Sequence, residues 1–184
     1  TGGNQGSIRV KPELARLVPD GIALPAWSAL GRRTWPAAGF RLVVRAWTAA
    51  GELASLHARY TRPGQPPERT PKTLWPAGFQ SRGLVLANAP ALALLRGEAL
   101  EACQVVIVEG LTDWLSWGPR ALPVFGVTAG SWTPAIAAKV PDGSTVSIRT
   151  DNDLAGDKYA AGIVNTFAGR PAVQLRRWRQ KGGA

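Results

Sequence analysis

The chain has 184 residues, 45% of them hydrophobic, which suits one compact domain or one domain with a smaller companion. Its net charge is +10, concentrated in residues 1–100, where 13 Lys and Arg face 5 Asp and Glu; this suits a polyanionic partner and also fits a generally arginine-rich composition. One cysteine, Cys103, excludes an internal disulfide and a cysteine-rich zinc site, and no apolar run spans a membrane or opens the chain as a signal segment, so a cytoplasmic protein is expected.

Residues 1–38 are rich in Pro, Gly and Ala and read as a flanking segment. The absence of methionine fits a fragment or processed chain. Pro12 and Glu13 suit the first turn of a short helix over 12–18. A β-rich run over 40–47, a turn, and a return over 53–60 predict a hairpin. Residues 61–71 are proline-rich and read as a loop, followed by a short strand over 72–75. A strand over 83–87 precedes Asn88, which caps a helix that ends at Arg96 and Gly97.

Strands and helices then alternate. Strands are predicted over 105–108, 123–127, 145–150 and 172–175. Helices are predicted over 112–117, over 133–139 with Ser131 as cap, and over 155–168 ended by Gly169. The alternation predicts an α/β fold with a parallel sheet and right-handed crossovers. Trp114 and Trp117, at i and i+3 on one helix, read as core, and the lone His57 reads as structural. Cys103, beside a core strand, reads as a buried thiol. Trp75 suits either loop packing or base stacking. The basic tail from Arg176 to Lys181 reads as a solvated terminus or a nucleic-acid contact.

Two of the strands end in carboxylates. Val105-Val-Ile-Val runs into Glu109-Gly110 and Asp113, and the strand 145–150 runs into Asp151-Asn-Asp153 and Gly156. In open parallel sheets ligands bind at that carboxyl edge, and an oxygen-only donor set suits a hard cation. Asp151 and Asp153 project to the same side of an extended segment, so both can face one cation; Asp153 also suits a helix cap. Asp113, in the first turn of a helix, suits either a supporting contact or a cap, and Asp157 suits the helix dipole.

The joint pattern Glu109-Gly110-x-x-Asp113, Gly126-x-x-x-Gly130 and Asp151-x-Asp153-x-x-Gly156, each part placed between a strand and a helix, resembles the TOPRIM domain of bacterial-type DNA primases. The resemblance covers roughly residues 104–176 by motif, and the pattern from Gly39 to Lys72 resembles the subdomain that precedes TOPRIM in those enzymes. It implies a flanking segment at 1–38, a small basic strand-containing subdomain at 39–100 and a TOPRIM-like parallel sheet flanked by helices at 101–184. It also implies an enzyme of DNA replication: a nucleotidyltransferase that makes short primers on single-stranded DNA with Mg²⁺ or Mn²⁺. A TOPRIM nuclease and a non-catalytic nucleic-acid or nucleotide-binding module are the alternatives.

By the same resemblance, Glu109, Asp151 and Asp153 are the catalytic metal ligands, supported by Gly110, Asp113 and Gly156. Arg59 and Lys72 contact template or nucleotide, although Thr73-Leu74-Trp75-Pro76 departs from the run that usually follows the lysine; either residue also suits a plain surface charge. The implied partners are a single-stranded DNA template, nucleoside triphosphates and a replicative helicase, with no membrane. The family carries a further acidic element after the last strand of its core. Here no Asp or Glu follows Asp157, so a C-terminally truncated domain that binds metal weakly is expected.

Overall fold

A computed structural model describes residues 14–19, 25–64, 66–68, 70–79, 81–128 and 131–179. The first half contains β1 (Ala15–Leu17), β2 (Ala29–Leu30), β3 (Arg33–Thr34), β4 (Phe40–Trp47), β5 (Leu53–Tyr60), β6 (Thr73–Leu74), β7 (Leu86–Ala87) and helix α1 (Ala89–Arg96). The second contains β8 (Gln104–Glu109), α2 (Gly110–Trp117), β9 (Val124–Val127), α3 (Pro134–Ala137), β10 (Thr145–Thr150), α4 (Leu154–Asn165) and β11 (Gln174–Arg179). The α/β class expected from the alternation is what forms.

Two sheets organise the molecule. One is antiparallel, in the order β1-β4-β5-β6; the other has the order β11-β10-β8-β9-β7, parallel except for β7. Trp47 and Val85 exchange backbone hydrogen bonds at 2.9 and 3.0 Å, which joins the end of β4 to the approach of β7. The apolar run of β8 serves both faces of the larger sheet. Val105 and Ile107 pack with residues of α1, α3 and α4, while Val106 and Val108 pack with α2 and with Leu42 and Val44 of the smaller sheet. A strand buried on both sides reads as a continuous hydrophobic run for that reason. The hairpin β2–β3 packs Trp35 against Phe40 and Ala58 in a third, smaller cluster.

Several local expectations change. Residues Ala15–Leu17 form a strand paired with β4, not a helix: Leu14 and Ala15 gain a buried position against the sheets that an isolated turn could not supply. The strand expected over 83–87 shortens to Leu86–Ala87, because Gly83 sits in a turn at φ 76°. Helix α2 starts at Gly110. Helix α3 is capped by Thr133, whose hydroxyl accepts from the Ile136 N–H, while Ser131 instead accepts from the Thr128 N–H at 2.8 Å. Trp114 is core as expected, but Trp117 is only half-buried. Cys103 is likewise half-buried at the core margin. The last strand begins at Gln174 and continues through Arg179, so Arg176 to Arg179 belong to the sheet rather than to a tail; residues 180–184 lie outside the described set.

His57 is a buried member of β5, stacked on Trp75 with ring centroids 4.2 Å apart. Burial, aided by the Arg59 charge and opposed by a hydrogen bond to Leu74, lowers its pKa from 6.5 to about 4. A histidine held below its unfolded pKa stabilises the fold above pH 6.5 and loses that contribution as pH falls toward 4. Unfolding free energy is expected to be roughly 2 kcal/mol lower at pH 5 than at pH 8, with a His57→Gln variant nearly flat over that window. Equal pH slopes for the two proteins in urea titrations would rule His57 out as the cause.

Candidate active site at the carboxyl edge of the parallel sheet

Register brings the acidic residues to one edge. β10 runs parallel to β8 with Ile148 opposite Ile107 and Arg149 opposite Val108, so Thr150 comes level with Glu109 and Asp151 emerges one residue beyond it. Glu109 is the last residue of β8 and the N-cap position of α2, but its side chain makes no capping bond. It crosses to the neighbouring strand end instead, where its Oε2 accepts the Asp151 N–H at 3.2 Å. Gly110 follows at φ 76°, a conformation that L side chains rarely adopt, and this turns the chain from strand to helix. Nothing lies within 4 Å of a Cβ built there, so the need for glycine is conformational.

Asp153 caps α4, its Oδ1 accepting the Gly156 N–H at 2.7 Å. A Cβ on Gly156 would lie 2.2 Å from the carbonyl oxygen of Asp151, so only glycine lets α4 begin against that backbone. The Asp-x-Asp-x-x-Gly spacing is thus a packing unit as well as a donor set. Asp113 is half-buried in the first turn of α2. Asp157 is held by two arginines of β11, with Arg177 at 2.5 Å and Arg179 at 3.3 Å, and the hydrogen bond from Arg177 holds its carboxyl below the usual range. Arg177 also donates to Thr150 Oγ1 at 3.1 Å, tying β11 to the strand end that delivers Asp151. The alternation of Leu175 and Arg177 with Arg176 and Trp178 was the sequence signal for this strand, obscured by its charge.

The carboxylates share one field. Burial raises the Glu109 carboxyl, and the charges of Asp151, Asp153 and Asp113 raise it further, against the lowering effect of the Asp151 N–H. Burial and the Glu109 charge also raise the Tyr159 hydroxyl, a neighbour that motif reasoning did not assign to the site. Among the described residues no three His, Cys, Asp or Glu side chains are gathered tightly enough to hold one ion. Glu109 and Asp153 each engage a backbone N–H with one oxygen, leaving the other. The donor set is oxygen-only and mutually repulsive, and a hard divalent cation matches both properties.

Arg59 and Lys72 come together on the smaller sheet. With Tyr60, Arg62, Gly64 and Pro66 they line a concave pocket of about 210 Å³, and the Tyr60 N–H donates to the Lys72 carbonyl at 3.0 Å. Arg62 is an addition to the sequence-predicted pair. Trp75, stacked on His57, is engaged in packing. Among the described residues no helix is long and apolar enough to cross a membrane.

No protein-family model and no curated protein matches the chain. Among solved structures it is similar to a DNA primase domain from Pseudomonas aeruginosa, at 15% identity and TM-score 0.54 over 79% of this chain and 45% of that one. It is also similar to the DnaG catalytic core, at 16% and 0.56 over 78% and 46%. The zinc-binding and RNA polymerase domains of the Aquifex aeolicus primase match at 19% and 0.52 over 83% and 36%. The chain spans less than half the length of each of these structures. The parallel sheet with its helices and adjoining antiparallel sheet is therefore a primase-like α/β fold. In particular, its fold is similar to those of a DNA primase domain and the DnaG catalytic core.

Proposed function

We propose that this chain is the catalytic part of a primase-like nucleotidyltransferase that copies single-stranded DNA into short primers from nucleoside triphosphates. The observation that carries the proposal is the mutually repelling carboxylate group of Glu109, Asp151 and Asp153 at the carboxyl edge of a primase-like sheet. These three residues would hold Mg²⁺ or Mn²⁺ once their side chains turn from the spacing seen here toward one ion. The cation, when bound, neutralises phosphate charge and promotes ionisation of the attacking hydroxyl.

The chain's own groups do the positioning. Gly156 seats α4 under Asp151, and Gly110 turns Glu109 away from capping so that it faces the neighbouring strand end. Asp113 adds its negative charge to the same field. Arg59 and Lys72 offer cations to the phosphates of template or nucleotide from the pocket on the smaller sheet. A replicative helicase fits as a partner of such an activity.

The test is incorporation of labelled nucleotide on a panel of single-stranded templates with Mn²⁺ or Mg²⁺. Primers that depend on template, triphosphate and metal are expected. Strand cleavage without incorporation would assign a nuclease instead, and neither activity would leave a binding module.

A further inference from the structure

The face of the larger sheet opposite α4 carries side chains that the carboxylate site does not use. In β11, Leu175 packs against the cluster containing Ile163 and Phe167, and Arg177 reaches Asp157 of α4. Strand alternation therefore sends Arg176 and Trp178 to the other face. There β10 contributes Arg149, register partner of Trp178, and α2 contributes Trp117. The Arg149 guanidinium lies 4.4 Å from the Trp117 ring centroid and 6.0 Å from that of Trp178, and Arg120 lies 3.7 Å from Trp117.

Arginines and indoles thus interleave across this face. Trp178 is 53% exposed at the sheet margin, an unusual position for an indole. The buried Arg149 Nε has no hydrogen-bond partner. No ion pair among the described residues engages Arg120, Arg149 or Arg176. The strip also leads toward the carboxylates, since Arg149 and Trp178 form the rung just before Thr150 and Asp151.

Guanidiniums without a carboxylate partner, beside an open indole, match a flexible polyanion that bears flat aromatic groups, even though Arg120 also donates to the Ser116 carbonyl at 2.8 Å. An acidic peptide satisfies the cations and leaves the indole without a partner; a single strand of nucleic acid satisfies both, phosphate on arginine and base on Trp178. We infer that Arg149, Arg176 and Trp178 form a binding strip for single-stranded nucleic acid beside the carboxylate edge, with a base stacked on Trp178. The inference deepens the polynucleotide chemistry proposed above, but it concerns binding alone and needs no turnover.

The experiment measures oligothymidylate binding to the full chain by fluorescence anisotropy and tryptophan quenching, without metal or triphosphate, at two salt concentrations. Trp178→Ala is expected to weaken binding about five- to a hundredfold, the range for losing one stacked base, and Trp178→Phe to restore most of it. Arg176→Ala should weaken binding and lower its salt dependence. An oligonucleotide of the same length without bases should bind the parent and Trp178→Ala equally.

Parent-like binding by both Trp178→Ala and Arg176→Ala overturns the strip, as does failure of the parent to bind at either salt. Displacement by polyglutamate with no effect of Trp178→Ala would assign a plain anion surface and also overturn it. Trp178-dependent binding by a protein that incorporates no nucleotide upholds the strip and refutes the primase reading.

Discussion

Asparagine at both Asp151 and Asp153 is expected to remove metal-dependent nucleotide transfer, with a loss of more than roughly a hundredfold. Groups one shell beyond a metal already cost 10- to 100-fold when replaced, so ligands themselves should cost more. Asparagine is chosen because it keeps the shape of both side chains and remains a good helix cap, so the Asp153 contact to the Gly156 N–H can persist. The change also removes two of the charges that raise the Glu109 carboxyl. The metal-free variant should therefore be at least as stable as the parent near pH 7.

A divalent cation is expected to separate the two proteins. A cation that binds only the folded parent adds about 2.7 kcal/mol when present at a hundred times its dissociation constant, and the double variant should gain almost none of this. Melting temperatures across a Mn²⁺ titration measure the difference. Equal stabilisation of parent and variant would place the cation elsewhere and remove the basis for Glu109, Asp151 and Asp153 as its ligands.

The second large effect is expected far from the carboxylates. Asn88 is buried, and its side chain ties three segments together. Its Oδ1 accepts from the Ala91 N–H at 3.1 Å and the Val124 N–H at 3.0 Å. Its Nδ2 donates to the carbonyls of Gly118, Arg120 and Leu122, at 3.1, 3.3 and 2.9 Å. The start of α1, the loop after α2 and the entry to β9 thus meet at one amide. Alanine would leave buried carbonyls and N–H groups without partners, at about 1–3 kcal/mol each where water cannot enter. Together with the lost cap, Asn88→Ala should cost on the order of 3–5 kcal/mol, a large share of the 5–15 kcal/mol typical of a domain. Denaturant unfolding would measure it; a cost below about 1 kcal/mol would mean that Asn88 acts only as a helix cap.

Asn88 also marks the boundary of what a sequence can convey. Its capping role was legible, because a cap and its glycine stop at Gly97 are local and recur with recognisable chemistry. The three carbonyls it holds lie 30 to 34 residues away, and no local pattern announces them. The same division runs through the candidate site. Apolar runs followed by Glu109-Gly110 and Asp151-x-Asp153 located two strand ends and their carboxylates, since buried strands and helix starts depend on hydrophobicity and short-range geometry.

The chain's own order determined the α/β class, the hairpin of β4 and β5, and most helix and strand positions from β7 onward. Tertiary pairing decided the rest. It made Ala15–Leu17 a strand, because three residues have too little intrinsic preference to resist a partner edge and a buried position. It carried β11 through Arg176 to Arg179, because Asp157 and the β10 ladder stabilise a strand that its charges alone would assign to solvent. It set Arg59 beside Lys72, and it set Gly156 against the Asp151 carbonyl. Each of these contacts joins groups whose complementarity exists only once the sheets have chosen their neighbours. Local propensities span about 1 kcal/mol per residue, and sheet pairing with burial outweighs them.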